Sequence, residues 1–426
     1  MLEPGAEIPR QIGTRSAEYL ASLRVLVLNG PRQAGKTTLL NQLIAVDGGE
    51  LRSLDDEAVL SATLNDPAGF VQSGSRPLCI DEVQRGGDAL VRAVKSVVDK
   101  DRARGQFVLA GSTRFLGDPT LHESLAGRAG VLEVLPFSES ELAGTRGDFL
   151  DIAFSGGASD IQRRPLSTTR EEYLETMVRG GFPEVQRMQT PRVRAAWFRG
   201  YVQAVTDSDL RTMARINEPS AAGAVLRGLA ALSGQQLVTT TLAERADLSR
   251  ATVERYTELL EAVFLVHRLR PWSRNPLTQA VRRPKAHLVD TGLLCHLLNA
   301  NSATWAKPTS PHVGAVAETF VVNELRKQAT WAVTEVQLYH YRDSRGHHEV
   351  DVIAESASGE VVGVEVKAGL TVREGDFRHL ALLKAKLGSD FVHGFVVYLG
   401  QQTLSFGDGL TAIPLGALWA PHPGAA

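Results

Sequence analysis

Apolar positions in the first third of the chain fall into short runs separated by stretches of helical character. The runs read as strands at Val25–Leu28, Leu78–Ile80, Phe107–Ala110 and Val131–Leu135. Short apolar strands alternating with helices predict a parallel α/β sheet. The segment "DIAFSGGASDIQRRPLSTTR" breaks this rhythm with small and polar residues and reads as a linker. From Glu171 to about Leu232 the spacing is helical, punctuated by "RGGFPEV" at Arg179–Val185; this reads as a helical lid with connecting helices. A helix at Leu242–Ala246, a tight turn, a helix at Arg250–Ala262 and a strand at Leu265–Leu269 follow, with Ser249 a suitable N-cap for the second helix. A Pro-containing stretch at Ala306–Pro311 precedes a final α/β segment. The pattern therefore divides the chain into parts at 1–165, 166–232, 233–305 and 306–426.

A chain of 426 residues is long enough for two or three domains with proper cores. Its composition is that of a globular protein, and no apolar tract is long enough to span a bilayer. The start "MLEPGAEIPRQIG" lacks the basic residues and apolar core of a signal peptide. Cys79 and Cys295 lie far apart, which suits a reducing cytoplasm and argues against a disulfide framework or a zinc site. A cytoplasmic location without a membrane partner is the expectation.

The net charge of −2 means that any nucleic-acid binding must come from a local patch. Between Glu261 and Asp290 the chain carries Arg268, Arg270, Arg274, Arg282, Arg283 and Lys285 without one acidic residue. The run follows helix, turn, helix and strand, the order of a winged helix-turn-helix, so these six residues are candidate DNA contacts. A solvated basic face is the alternative.

Candidate chemistry begins directly after the first strand, where "GPRQAGKTT" spans Gly30–Thr38. Gly30, four residues, then Gly35-Lys36-Thr37 fits the phosphate-binding loop of nucleotide triphosphatases. Glycines let backbone N–H groups close around phosphate oxygens, and the next helix presents its positive N-terminus to them. Gly30, Pro31, Arg32, Gln33, Ala34, Gly35, Lys36, Thr37 and Thr38 are thus expected to hold ATP. Lys36 would reach the β- and γ-phosphates and Thr37 would ligate Mg²⁺. "PLCIDEVQR" ends a strand in Asp81 and Glu82. One carboxylate belongs on the metal side and the other beside the attacking water, which needs a base to orient and deprotonate it. "QFVLAGSTRF" supplies another strand, capped by Ser112 and Thr113.

These three elements, in this order and spacing, resemble the AAA+ superfamily. The resemblance implies that Ser112 senses the γ-phosphate. It also implies that Arg128, in "SLAGRAGVLEVLPFS", is an arginine finger, with Arg114 as competitor. A finger stabilises charge in a neighbouring subunit's site, so it implies a homo-oligomer, commonly a hexamer.

The last segment holds a second constellation. Glu318 lies in the helix "GAVAETFVVNELRKQ", with Phe320, Val321 and Leu325 on its apolar face. Asp351 lies in the strand "HHEVDVIAE", and Glu365 and Lys367 share one face of the strand "VVGVEVKAG". His347 and His348 are adjacent and point to opposite faces, which argues against ligation. Two carboxylates repel at close range unless a cation stands between them, and Lys367 offsets one charge only. Mg²⁺ or Mn²⁺ is therefore expected at Glu318, Asp351 and Glu365, with Lys367 as the catalytic cation.

This E…D…ExK arrangement is similar to the PD-(D/E)XK nuclease fold. Taken with the ATPase motifs, "RGGFPEV" and the basic helix-turn-helix, the chain resembles a prokaryotic family of AAA+ ATPases. Members of that family carry a nuclease-related C-terminal region long labelled as of unknown function. The fold implied is an AAA+ P-loop core with a helical lid, a winged helix and a PD-(D/E)XK-like α/β domain. The function implied is ATP-driven processing or remodelling of duplex or branched DNA, with DNA cleavage by the terminal domain left open. A nucleotide-dependent regulatory switch is the alternative.

Overall fold

The computed structural model describes residues 7–113, 125–156, 161, 166–210, 219–275, 277, 279, 282–305, 312–343 and 347–421. Arg114 and the Ala306–Pro311 stretch lie outside the described residues. The chain divides into two compact units. One is Gly5–Phe137 with Ala262–Phe264, and the other comprises Ser138–Glu261 and Leu265–Ala426.

The first unit runs α1 (Ile12–Ser22), β1 (Val25–Asn29), α2 (Lys36–Asp47), β2 (Glu50–Ser53), α3 (Glu57–Asn65), α4 (Pro67–Gln72), β3 (Leu78–Asp81), α5 (Gly87–Lys100), β4 (Phe107–Gly111) and β5 (Ala129–Glu133). The sheet order is β2-β3-β4-β1-β5, and every pair is parallel. β1, β3 and β4 are buried along their whole length, as central strands covered on both faces must be. Val27, Ile80 and Leu109 pack in one core with Leu90, Val94 and Val98 of α5. In a parallel sheet all C-terminal ends share one edge. The turns after β1, β3 and β4 therefore bring the phosphate loop, Asp81-Glu82 and Ser112 together. β2 escapes the sequence pattern because "ELRS" is half-exposed along the sheet edge. β5 pairs two residues earlier than the apolar run Val131–Leu135, since Val134 and Leu135 remain buried after pairing ends.

The second unit begins with short helices. The expected linker starts later than its composition indicates, because Asp151–Phe154 completes the helix Phe149–Phe154, with Phe149 edge-on to Phe395 at 5.2 Å. "RGGFPEV" is a structural clasp. Gly180 has φ +70°, and a Cβ there would collide with the Asp290 carboxylate. Gly181 N–H donates to Asp290 Oδ2 at 2.6 Å, while Asp290 Oδ1 caps the helix Thr291–Leu297 through Leu293 N at 2.9 Å.

Helices Thr239–Ala246 and Arg250–Ala262 are followed by an antiparallel ribbon of β6 (Val266–Leu269) and β7 (Lys285–Leu288). Ser249 Oγ accepts from Thr252 N at 3.0 Å, as an N-cap does. The chain then forms the helix Val313–Ala329 and a six-stranded mixed sheet. Its strands are β8 (Val336–Arg342), β9 (Glu349–Ser356), β10 (Val361–Lys367), β11 (Phe391–Tyr398), β12 (Leu404–Ser405) and β13 (Leu410–Pro414), ordered β12-β13-β11-β10-β9-β8. β10, β11 and β13 are parallel to each other, β9 pairs antiparallel with both β10 and β8, and β12 pairs antiparallel with β13. Among the described residues no helix is long and apolar enough to cross a membrane.

Candidate functional sites

The phosphate loop is shaped by close approach. A Cβ at Gly30 would run into Val134 O, so no side chain fits where the loop leaves β1. Gln33 (φ +62°) and Gly35 (φ +91°) take left-handed backbone, turning Pro31, Arg32 and Ala34 around the start of α2. Lys36 is buried and donates to Gly30 O at 3.0 Å and Pro31 O at 2.9 Å. Thr38 stands in the first turn of α2, where free N–H groups favour an anion. Thr37 Oγ1 donates to Asp81 Oδ2 at 2.6 Å, so the two expected Mg²⁺ ligands meet although 44 positions separate them.

Glu82 takes left-handed backbone (φ +53°), and its N–H donates to Asp81 Oδ1 at 2.9 Å. Its Oε2 accepts from Ser112 Oγ at 3.0 Å and from Gln84 Nε2. Gln84 Nε2 also reaches Ser112 Oγ at 3.0 Å. Thus the expected base and the expected sensor touch, with Gln84 joining them. Gln84 was legible only as a polar residue two positions after Glu82, and the tight turn Val83–Gly86 folds it back. Arg10 carried no signal at all. It is buried, donates to Ala34 O and Leu135 O at 2.7 Å each, and lies over the Phe137 ring at 4.9 Å.

Arg128 precedes β5 and forms a two-pronged ion pair with Asp99 of α5, at 2.5 and 3.1 Å. The guanidinium holds the Asp99 carboxyl below its usual range. Arg128 stands at the N-terminal edge of the sheet, opposite the phosphate loop.

In the second unit Glu318, Asp351, Glu365 and Lys367 do converge. The last paired positions of β9 and β10 are Val352 and Val364, which sets Asp351 and Glu365 next to each other one step further on. Asp351 Oδ2 accepts from Val366 N at 2.9 Å, and Lys367 Nζ pairs with Glu365 Oε1 at 2.8 Å.

The cation at the centre is Lys285. Its Nζ lies 2.8 Å from Glu318 Oε1, 2.6 Å from Glu349 Oε1 and 3.2 Å from Asp351 Oδ1, and its side chain is 2% exposed. Burial alone would lower the Lys285 pKa. The carboxylates of Asp351, Glu318 and Glu349 more than offset it, and the group is held above its usual range, fully protonated. Burial, then repulsion from Asp351, raises Glu318 well above the carboxylate range and pushes Glu365 up to about 8.

Two expectations change here. Lys285 is not a DNA contact, because it is buried among carboxylates. The donor set also does not fit the expected divalent ion: both Asp351 oxygens, Glu318 Oε1 and Glu365 Oε1 are engaged by protein donors. Glu365 Oε2 is buried without a partner, but one oxygen does not make a metal site. Among the described residues no group of three His, Cys, Asp or Glu is placed to hold a metal.

The remaining basic residues are unequal. Arg268 pairs with Glu261, Nε to Oε2 at 2.7 Å. Arg274 is held by Asp390 at 2.8 Å and Gly359 O at 2.9 Å, and Arg282 donates to Arg342 O at 2.6 Å. Arg270 and Arg283 are exposed. The acid-free run is therefore not acid-free in space. Arg268, Arg270 and Arg282 nonetheless line a groove of about 370 Å³ with Glu261 and Gln279.

Three stretches of the chain match known families. Residues 22–143 match a family described as an AAA domain. Residues 170–304 match a domain of unknown function (DUF8612), and 313–418 match another (DUF4143). Two uncharacterized proteins, from Mycobacterium tuberculosis and Mycobacterium bovis, are each 28% identical over 413 residues, 95% of this chain and 83% of theirs. Among solved structures, a Walker-type ATPase of Pyrococcus abyssi matches 68% of this chain and 96% of its own, with 14% identity and a TM-score of 0.40. The RuvB Holliday junction branch migration motor of Thermotoga maritima matches 60% and 88%, with 20% identity and a TM-score of 0.29. AMPPCP-bound DnaA of Aquifex aeolicus matches 59% and 86%, with 16% identity and a TM-score of 0.28.

Proposed function

We propose that the chain is a cytoplasmic ATP-hydrolysing, DNA-binding machine of the AAA+ type that processes or remodels duplex or branched DNA. It works as a homo-oligomer, most simply a hexamer. The observation that carries the reading is the meeting of Thr37 with Asp81 at 2.6 Å beside the Glu82–Ser112 pair at 3.0 Å. A phosphate cradle, two oxygen ligands and a carboxylate base are what phosphoryl transfer to water requires.

In this reading the N–H groups of Gly30–Gly35 and Lys36 Nζ hold the β- and γ-phosphates of ATP. Thr37 Oγ1 and Asp81 Oδ2 would hold Mg²⁺, which when bound neutralises phosphate charge. Glu82 orients the attacking water and accepts its proton at a carboxylate oxygen. Ser112 keeps that carboxylate in place and reads the γ-phosphate. Arg128 serves the site of another copy.

DNA binding rests on the groove lined by Arg268, Arg270 and Arg282, with exposed Arg283 nearby in sequence. Arg270 and Arg283 are its strongest contacts, because Arg268, Arg274 and Arg282 already have protein partners. The test is ATP turnover with and without duplex and branched DNA. Stimulation is expected, and Arg270→Glu with Arg283→Glu should abolish it while leaving the basal rate intact. Each arginine taken off a DNA phosphate should flatten the salt dependence of DNA affinity by about one unit of slope. A rate indifferent to DNA would point instead to a nucleotide-dependent switch.

A further inference from the structure

We propose that Lys285 is a resident counter-cation that fills the metal position of the Glu318–Asp351–Glu365 site. This chain then keeps the carboxylates of a metal nuclease without taking the metal.

The geometry is specific. Glu318 comes from the helix Val313–Ala329, Glu349 and Asp351 from β9, and Lys285 from β7, outside the sheet. An ammonium group has three N–H donors, and here three carboxylates lie within 3.2 Å of one nitrogen. A divalent ion ligated by Asp351 Oδ1 and Glu318 Oε1 would need both oxygens at about 2.0–2.6 Å. The lysine nitrogen stands between those oxygens, so ion and ammonium compete for one place.

Lys285 is also fixed by its backbone. It pairs with Leu269 across the β6–β7 ribbon and bridges to Gln236, while the preceding Pro284 O accepts from Leu237 N at 2.9 Å. A residue held on both sides is a permanent occupant and not a loop-borne plug. The other lysine, Lys367, is already committed to Glu365 Oε1. Two lysines thus supply, from the chain itself, the positive charge that a metal would otherwise bring.

The test is a Mn²⁺ titration of the nucleotide-free full-length chain, read by the electron paramagnetic resonance signal of free Mn²⁺. Four proteins are compared: wild type, Asp351→Asn, Lys285→Met, and Lys285→Met with Asp351→Asn. Wild type and Asp351→Asn should bind the same number of ions, so that no wild-type ion depends on Asp351. Lys285→Met should gain one Mn²⁺ per chain, and the added Asp351→Asn should remove it. Mn²⁺ bound by wild type and absent from Asp351→Asn would overturn the proposal. So would a folded Lys285→Met protein that gains no ion. Should Lys285→Met fail to fold, the first pair decides alone: equal stoichiometry supports the proposal and an Asp351-dependent ion refutes it.

Discussion

Arg10 donates to the carbonyl of Ala34 at 2.7 Å, tying the crown of the phosphate loop to a buried cation from far upstream. The same guanidinium holds Leu135 O at 2.7 Å, so the loop is braced against the chain leaving β5. Hydrogen bonds from charged groups contribute about 1.5–3 kcal/mol each. Arg10→Met keeps most of the apolar volume and removes both. ATP affinity should fall roughly tenfold, equivalent to about 1.4 kcal/mol. Titration with a fluorescent ATP analogue, alongside thermal unfolding, checks this. Unchanged affinity in a folded variant would mean that the loop needs no brace.

Arg128 bears on the proposed homo-oligomer. It adjoins the start of β5, whereas the phosphate loop leaves the end of β1, and the two strands pair in parallel from Val25–Ala129 to Asn29–Glu133. At about 3.3 Å per residue, the six steps from the level of Arg128 to that of Gly30 put the site roughly 20 Å away along the strand. A finger at Arg128 must therefore serve another copy. Arg128→Ala should bind ATP normally and hydrolyse it at least about a thousandfold more slowly. Its melting temperature should hardly move, because the pair with Asp99 is at the surface. Mixing it with Lys36→Ala should restore part of the rate, by joining an intact site to an intact finger. Absence of any restoration would assign Arg128 to the Asp99 pair alone.

The buried histidines make stability depend on acid. Burial first, and the Lys285 ammonium next, pull the His340 pKa down to about 4, against about 6.5 when unfolded. Between those values the unfolded chain binds a proton that the folded chain refuses. Stability contributed by neutral His340 is thus present above pH 6.5 and lost as the pH falls toward 4. The slope is at most about 1.4 kcal/mol per pH unit for one such group. In urea unfolding from pH 7 to pH 4, wild type should lose more stability, or gain less, than His340→Gln, because Glu318 and Glu365, raised by burial, act with the opposite sign over the same range. An identical slope in the variant would place the acid sensitivity elsewhere.

Local signals were legible where chemistry and spacing coincide. The phosphate loop, Asp81-Glu82 and Ser112 each sit at the end of a strand whose apolar run is plain in the sequence. Ser249, a cap, follows from its neighbours for the same reason. Arg10 and Gln84 act through the fold, by reaching a carbonyl or turning back across a tight bend, and no periodicity marks such roles. Lys285 is the sharpest case. Read along the chain it completes a basic run, yet its partners Glu318, Glu349 and Asp351 lie 33 to 66 positions later. The charge of a residue was evident, but the sign of its surroundings was not. "RGGFPEV" likewise reads as punctuation until Asp290 appears opposite its glycines.

The measurement closest to the centre of the account is ATP turnover by Glu82→Gln beside wild type and Lys36→Ala, with bound nucleotide followed in each. Glutamine keeps the shape of Glu82 and removes the proton acceptor, whereas Lys36→Ala removes a phosphate ligand. Glu82→Gln should bind ATP and retain it, with turnover reduced about a hundredfold or more. Lys36→Ala should instead lose affinity. Wild-type turnover in Glu82→Gln would contradict the assignment of Glu82 as the base and, with it, the reading of this site as an ATPase centre.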